Sequence, residues 1–222
     1  MKPNQLRNEY WLLRHGRSLA NEVETIVSKP EHGIDERWTL AQGGEDQARA
    51  AGVKFGKVVQ AAKRGGRTVR VYSSPFSRTR RTASLAAEAA GLQADMCPIQ
   101  VAPELRERFF GDELEMQPYR TAYGKIWERD EVSTASVPGG NGESVDEVSA
   151  RIRHFFERLE DEHKDAVILL VSHGDTLSIM QTTILGEDTK QHRRFAFDTA
   201  ELRPLIAPGP GSSTLSSRHF HR

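Results

Sequence analysis

The sequence has one cysteine, no net charge and no long apolar run, and each lack excludes a class of protein. Its single cysteine, Cys97, excludes an internal disulfide and cysteine-based zinc ribbons, and it agrees with a reducing compartment. No stretch approaches the roughly 18 apolar residues of a membrane span, and the charged N-terminus does not read as a signal peptide. We therefore expect a cytoplasmic protein that does not enter a membrane.

Positive and negative side chains balance over the whole chain. Lysine plus arginine number 31, and so do aspartate plus glutamate. Nucleic acids and anionic membrane surfaces attract an excess of positive charge, so this balance predicts neither as a partner. Any basic site must be local.

The length and composition predict a single domain. The chain has 222 residues, of which 37% are hydrophobic and 28% charged, which is enough for one sizeable core. We expect this domain to span residues 1–207. The segment 208–222 is rich in proline, glycine and serine, which favours a disordered tail. The oligomeric state stays open between a monomer and a homodimer.

Strand-length segments alternate with helix-length segments. Apolar or alternating runs predict strands over residues 9–13, 68–74 and 166–172. A segment with apolar residues at helical spacing follows each of them. Such alternation is typical of an α/β fold, so we predict three α/β/α layers around a mainly parallel central sheet.

Capping residues predict where two helices begin. Ser74 and Pro75 suit the cap and the first position of a helix that ends before Gly91. Ser144 and Glu147 have capping-box spacing ahead of an amphipathic segment, which makes this helix the best defined in the sequence.

Arginine, histidine and glycine stand where the predicted strands end. The first strand runs into Arg14 and His15, and the last runs into His173 and Gly174, where the glycine permits close approach of a ligand. Arg78 falls in the first turn of the helix after the middle strand. Ligands of such sheets bind at the carboxyl ends of the strands, and helix N-termini attract anions. These residues therefore predict an anion pocket.

The same side chains suit phosphoryl transfer. Arginine presents a fork of donors that matches phosphate oxygens, and a neutral histidine attacks phosphorus to form a phosphohistidine. A second histidine can donate to the phosphate as charge shifts, and a carboxylic acid can protonate the leaving alkoxide. The residues alone leave this acid open among four carboxylates of one segment: Glu104, Glu107, Asp112 and Glu113.

Five motifs stand in the order of the histidine phosphatase superfamily and at about its separations. They read LLRHGRSLANE, YSSPFSRTRRTA, LRERFFG, GNGESVDEVSARI and VSHGDTL, and the resemblance covers about residues 9–205. The superfamily includes cofactor-dependent phosphoglycerate mutases and fructose-2,6-bisphosphatases. The resemblance implies a phosphoglycerate mutase-like fold, a small phosphorylated substrate, and a reaction that uses no metal; we expect no cofactor.

The resemblance also implies a role for each residue of the predicted pocket. His15 resembles the phosphorylated nucleophile, and His173 resembles the second histidine of the pocket. Arg14 and Arg78 correspond to the phosphate-binding arginines. Glu107 corresponds to the acid, which selects it among the four carboxylates.

Two further matches and one departure concern substrate binding. Asn21 matches an asparagine that helps bind phosphate, and Arg108, beside the acid, matches a position that contacts substrate. Arg17 stands where the family commonly has glutamate or glutamine. An extra cation there favours a substrate with a second anionic group.

The segment between the acid motif and the Gly-Glu-Ser motif is short, as in phosphatases of the family, whereas the mutases carry a longer basic insertion. Water is therefore the expected phosphate acceptor, and we predict a phosphomonoester hydrolase for a small metabolite such as a sugar phosphate or phosphoglycerate. Two alternatives stay open. One is a cofactor-dependent phosphoglycerate mutase, and the other is a module that binds phosphorylated ligands without catalysis or acts on phosphoproteins.

The activity should have an acidic to near-neutral pH optimum, because it needs His15 neutral and Glu107 protonated. The segments 22–38 and 111–142 are expected to cover the pocket and set specificity.

Other aromatic and basic residues have a structural interpretation. Tyr119, Tyr123 and Trp127 follow helical spacing, and we interpret them as a packing stripe or lid face rather than a sugar platform. Four histidines have no partner that the sequence pattern identifies: His32, His154, His163 and His192.

Overall fold

The computed structural model describes residues 6–205, so the tail expected at 208–222 lies outside the described residues. The strands are β1 (Glu9–Arg14), β2 (Val69–Ser73), β3 (Ile99–Val101), β4 (Val167–Ser172) and β5 (Leu202–Pro204). The α-helices are α1 (Leu19–Glu22), α2 (Pro30–Gly33), α3 (Gln42–Arg64), α4 (Ser77–Ala89), α5 (Tyr119–Val132), α6 (Val145–Glu162) and α7 (Gly174–Leu185). Short 3-10 segments occupy Glu36–Trp38, Pro103–Leu105 and Thr189–Phe195.

The strands form one sheet in the order β3-β2-β4-β1-β5. Its neighbouring strands run parallel, except that β5 is antiparallel to β1. The central strand β4 is buried along its whole length. A strand that is apolar on both faces suits only a position covered on both sides, and its sequence, Val-Ile-Leu-Leu-Val-Ser, meets that condition.

Helices cover both faces of the sheet. On one face, α6 and α7 pack through Ile152, Phe155 and Met180 against the inward side chains of the strands. On the other face, α3 and α4 pack through residues that include Phe55 and Ala86. The predicted three-layer α/β/α architecture with a mainly parallel sheet is confirmed.

The two predicted helix starts have different outcomes. The capping box of α6 is present, with the side chains of Ser144 and Glu147 each accepting from the other's backbone N–H. The prediction for α4 is wrong by two residues, because the cap is Phe76 and the helix begins at Ser77. Phe76 stays extended, and the hydroxyl of Ser74 accepts the N–H of Phe76 at 3.3 Å and faces His173 instead of capping.

None of the helices within residues 6–205 is both long and apolar enough to cross a bilayer.

Candidate active site

The ends of β1 and β4 bring the two predicted histidines together. These neighbouring parallel strands pair Arg14 with Ser172, so the next residue of each strand emerges at the same edge of the sheet. The His15 N–H donates to the Ser172 carbonyl at 3.0 Å, and the His15 and His173 ring centroids lie 5.2 Å apart. Because β1 and β4 are neighbouring parallel strands, two histidines that are far apart in the chain lie side by side.

The imidazole of His15 is neutral and presents an unprotonated nitrogen. Its Nδ1 lies 2.8 Å from the Gly16 carbonyl, which only accepts, so Nδ1 carries the proton. Nε2 accepts from Nε of Arg78 at 3.3 Å. Burial, followed by the charges of Arg78 and Arg14, holds the pKa of His15 well below its ordinary 6.5. The lone pair of Nε2 is therefore available as a nucleophile at neutral pH.

Arg78 is a buried cation beside this nucleophile. Its Nη2 donates to the Val27 carbonyl at 2.9 Å, whereas its Nη1 has no hydrogen-bond partner within the described part of the chain. Burial lowers the pKa of Arg78 to about 10, so the guanidinium stays charged at neutral pH. A buried N–H without a partner costs about 1–3 kcal/mol, which an anion in hydrogen-bond contact would offset.

Arg14 approaches the same place from the end of β1. Its Nη1 donates to the Phe197 carbonyl at 2.6 Å, and its buried Nε has no partner among residues 6–205. A Cβ at Gly174 would lie 3.3 Å from Cζ of Arg14, tighter than most such contacts. The absence of a side chain at Gly174 therefore lets the guanidinium lie against the start of α7.

His173 lies behind His15 and does not line the cavity itself. Its Nε2 is 2.8 Å from the Ser74 hydroxyl, and its Nδ1 has no partner in the described structure. Ser74 already accepts the Phe76 N–H, so its hydroxyl hydrogen can donate to Nε2, which leaves the proton of His173 on Nδ1. Burial, first, keeps the pKa of His173 well below 6.5.

Glu107 is the one member of the four candidate acids that lines the cavity. Its Oε1 accepts from the Arg108 N–H at 3.0 Å and from the Thr176 hydroxyl at 3.2 Å. Burial raises the pKa of Glu107 above its ordinary 4.5, and the negative charge of Asp175 raises it further. The carboxyl is thus held toward its protonated form in the same cavity as Arg14 and Arg78.

The other candidate acids lie in surface ion pairs or in solvent. Glu104 pairs with Arg158 at 3.0 Å, and Asp112 pairs with Lys29 at 2.9 Å. Glu113 is exposed. The four candidates lie in one short segment, so their sequence positions do not distinguish them. Only the folded chain shows that Glu107 lines the cavity and that the other three do not.

The cavity in front of His15 has a volume of about 490 Å³. Within the range of about 300–1,000 Å³ typical of small-molecule sites, it leaves room for more than a phosphate group. Besides the residues above, Asn21 lines it. The Asn21 Oδ1 accepts from the Ser18 N–H at 3.1 Å as part of the α1 cap, which turns the side chain toward the pocket.

Two predicted substrate contacts lie elsewhere. Arg108 is fully buried away from the cavity, where its guanidinium holds Asp130 at 2.6 and 2.9 Å and also bonds Asp175 at 3.2 Å. Arg17 points outward and pairs with Glu22, with about half of its side chain exposed. The structure therefore does not bring Arg108 or Arg17 into the pocket, and it corrects these two assignments.

Other lining residues were not predicted as site residues. Asp175 accepts from the indole of Trp127 at 3.1 Å, and the guanidinium of Arg193 lies 3.6 Å from the Trp127 ring centroid. The VSHGDTL motif contains Asp175, whose acidic side chain in the first turn of α7 was the available signal. No local pattern marks Arg193, because it reaches the pocket from the 3-10 segment Thr189–Phe195.

Residues 6–205 contain no group of three or more histidine, cysteine, aspartate or glutamate side chains placed to hold a metal ion.

Comparison with known proteins agrees with the geometry. The family model of the histidine phosphatase superfamily (branch 1) matches residues 10–215. The chain belongs to the histidine phosphatase superfamily. Its motifs at the ends of β1 and β4 are those that form the pocket described above.

The proteins that match this histidine phosphatase superfamily member include some named as mutases and some named as phosphatases. The chain is 31% identical over 198 residues to "Probable phosphoglycerate mutase GpmB" of Photorhabdus laumondii, covering 87% of this chain and 82% of the relative. The alpha-ribazole phosphatase of Shigella flexneri superposes with a TM-score of 0.66 at 26% identity, over 88% of this chain and 89% of that one. A mycobacterial glucosyl-3-phosphoglycerate phosphatase, at 20% identity and a TM-score of 0.66 over 88% of each chain, shows the shared fold alone.

Proposed function

We propose that this chain is a phosphomonoester hydrolase that acts through a phosphohistidine at His15. The observation that carries the proposal is the state of the buried nitrogens around that residue. Nε of Arg14 and Nη1 of Arg78 have no partner within residues 6–205, and the nucleophilic Nε2 of His15 lies beside them. This arrangement suits one tetrahedral dianion held against an unprotonated imidazole.

The proposed reaction has two displacements. Nε2 of His15 attacks phosphorus, the bond from phosphorus to the ester oxygen breaks, and Glu107 gives its proton to the leaving oxygen. Water then attacks the phosphohistidine, passes a proton to the Glu107 carboxylate, and releases phosphate as the P–N bond breaks. Arg14 and Arg78 donate to the phosphate oxygens as their charge rises in each transition state, while His173 packs behind the His15 ring.

Water as the acceptor is supported by the charge of the outer cavity. Its two further arginines, Arg120 and Arg193, are already engaged: Arg120 with Glu24, and Arg193 with Trp127 and Asp175. A mutase must hold a second phosphate or a carboxylate at the far end of its substrate, and such a group needs unpaired donors. Paired cations therefore favour a monophosphate ester and water.

The experiment that tests the proposal is the capture of the covalent intermediate. The protein is mixed with a phosphate ester and quenched in alkali, and we expect an alkali-stable, acid-labile phosphate on the peptide that contains His15. His15→Ala should lower phosphate release about 1,000-fold or more. The exposed His154 of α6 supplies the control, because His154→Ala leaves the pocket intact. Undiminished hydrolysis by His15→Ala would overturn the proposal.

A phosphoglycerate mutase is the second candidate, and the names of several sequence relatives favour it. A mutase would interconvert the 2- and 3-phosphoglycerates when primed with the bisphosphate, with little release of inorganic phosphate. Measuring both products in the same incubation separates the two activities. A non-catalytic phospho-ligand module has no comparable support, because binding alone would need only the arginines.

A further inference from the structure

The far side of the cavity is a continuous wall of aromatic rings. Tyr119, Tyr123 and Trp127 of α5 all line the cavity that His15 opens into. The Tyr119 and Tyr123 rings are stacked, with centroids 5.6 Å apart and planes 9° apart, and the Tyr123 and Trp127 centroids are 5.2 Å apart. Phe110 adjoins Tyr123 at 4.9 Å. We call the three α5 rings the aromatic wall.

The aromatic wall both packs α5 onto the protein and lines the cavity. Residues three and four apart share a helix face, so the three rings lie on the same side of α5 as Ile126 and Asp130. Ile126 and Asp130 are buried at 6% and 1% exposure, whereas the three rings, which pack against the cluster that contains Ile126 and Phe110, stay only partly buried. The ring surface that this packing leaves uncovered faces the cavity.

The charges near the wall are paired. Arg120 is held by Glu24, and Arg193 lies over the Trp127 ring and 3.6 Å from Asp175. A carboxylate or second phosphate there would have to displace an existing partner, and it would face the negative charge of Asp175. The chemistry of this end of the cavity suits an uncharged group.

We propose that the aromatic wall makes this site prefer phosphate monoesters whose alcohol carries an uncharged planar ring. The ring stacks on Tyr119 and Tyr123 while the phosphate binds Arg14 and Arg78. This inference rests on the proposed hydrolase function for its kinetic test, and it adds a substrate contact to the interpretation of these residues as a packing stripe or lid face. It also runs against a preference for a second anionic group, which Arg17 had suggested.

The kinetic test uses esters of the same leaving-group chemistry. 2-Phenylethyl phosphate, 2-cyclohexylethyl phosphate, glycerol 3-phosphate and 3-phosphoglycerate are all esters of primary alcohols, so differences in rate report binding rather than alkoxide stability. We expect kcat/KM for the phenyl ester to exceed that for glycerol 3-phosphate by about 10- to 100-fold, and to exceed that for the cyclohexyl ester because stacking needs a flat ring. Equal values, or a preference for 3-phosphoglycerate, would overturn the proposal.

Variants localise the preference to the wall. Tyr119→Ala and Tyr123→Ala should each reduce the ratio of phenyl ester to glycerol ester several-fold, and Tyr123→Phe should retain it because the ring remains. Glu128 is the matched control, since it is exposed on the same helix and does not line the cavity. A ratio that falls equally in Glu128→Ala, or that survives both tyrosine-to-alanine changes, would contradict the assignment to these rings.

A binding measurement separates this inference from the hydrolase proposal. 3-Phenylpropylphosphonate and propylphosphonate have no cleavable ester bond, so calorimetric titration reports ring preference without turnover. Tighter binding of the phenyl compound, by about tenfold or more, supports the inference even in a protein that hydrolyses nothing. Equal binding of the two phosphonates overturns it, whatever the outcome of the phosphohistidine experiment.

Discussion

Two clusters of buried arginine lie close together in this protein and have opposite hydrogen-bonding states. In the pocket, Arg14 and Arg78 each keep a buried nitrogen without a partner among the described residues. In the neighbouring cluster, all three guanidinium nitrogens of Arg108 donate, to Asp130, Asp175 and the Glu143 carbonyl. Buried polar groups are normally satisfied, so the open nitrogens of Arg14 and Arg78 leave capacity for a ligand, whereas the filled capacity of Arg108 suits a structural role.

The comparison explains why Arg108 was assigned incorrectly. A guanidinium next to the acid in sequence resembles a substrate contact, but its bonding capacity is filled by the protein. His192 lies beside this cluster and is not part of its hydrogen bonding: its ring nitrogens are 3.4 Å from Asp130 and 3.7 Å from Asp175, and neither has a hydrogen-bond partner within residues 6–205. The cluster ties α5 to the start of α7 and thereby positions the aromatic wall relative to Glu107.

The largest expected effect comes from breaking the complete cluster. Asp130→Ala leaves Arg108 buried without its bidentate partner, which should lower the free energy of unfolding by about 3–5 kcal/mol. Urea unfolding measures the change, with the exposed neighbour Glu131→Ala as control. A loss below about 1 kcal/mol would mean that the cluster does not stabilise the fold.

Removing the guanidinium of Arg78 should have the opposite effect, with a large loss of activity and a small change in stability. Arg78→Met should lower kcat/KM about 100- to 1,000-fold, because a donor to the transition-state charge is lost. Its free energy of unfolding should change by no more than about 1 kcal/mol, since the buried guanidinium lacks a full set of partners. Unfolding and kinetics measured on the same preparation test both parts, and a large loss of stability with little loss of activity would reverse the comparison.

Asp175 lines the pocket and also bonds Arg108, and it should influence the alkaline limb of the pH profile of kcat/KM. The proposed reaction needs Glu107 protonated, and the charge of Asp175 helps to raise the pKa of Glu107. Asp175→Asn should therefore lower the pKa of Glu107 and move the alkaline limb of kcat/KM to lower pH. A pH profile of both proteins measures the shift. A limb that stays in place would show that Asp175 does not act through Glu107.

The buried histidines predict how stability depends on pH. The folded-state pKa of His15 and that of His173 are depressed, so the unfolded chain binds more protons once the pH drops below about 6.5. Stability should therefore decline as the pH falls from 6.5 toward the lower folded-state pKa, by up to about 1.4 kcal/mol per unit for each histidine. His15→Asn should reduce this slope in urea unfolding at several pH values, and an unchanged slope would contradict the prediction.

The smallest expected effect lies away from the pocket. Ser144 caps α6 with Glu147, and Ser144→Ala should cost about 1 kcal/mol of unfolding free energy. Its kcat/KM should stay at the wild-type value, because the Glu143 carbonyl that accepts from Arg108 belongs to the backbone. A pronounced loss of activity would show that the complete cluster depends on this cap.

Much of the fold was predictable because it depends on local patterns. The three strands at 9–13, 68–74 and 166–172 agree with β1, β2 and β4 to within one or two residues. The start of α4 was not predicted correctly, because Ser74 is a good cap by residue type and only the folded chain brings His173 to its hydroxyl. The family and its three-layer fold followed from motifs and alternation.

Site residues were predictable where a motif and a strand end coincide. Arg14, His15 and Gly174 follow strands whose register places them at one edge of the sheet, and Glu107 needed the resemblance as well. Arg17 and Arg108 have the residue type of a phosphate ligand, but ion pairs with Glu22 and Asp130 occupy them. Whether such an ion pair forms depends on how the folded chain places the two side chains, and a local sequence pattern does not contain that information.

The sequence by itself determined the chemistry available here: two histidines and two arginines at the ends of strands and in the first turn of a helix, an acid in the segment after β3, and glycine where a side chain would crowd them. Only the tertiary structure decided which cations remain unpaired and which rings face the cavity. The physical reason is that residue type sets the number of donors and the apolar area of a side chain. Whether those groups are already satisfied depends on neighbours that are distant in the chain and close in space.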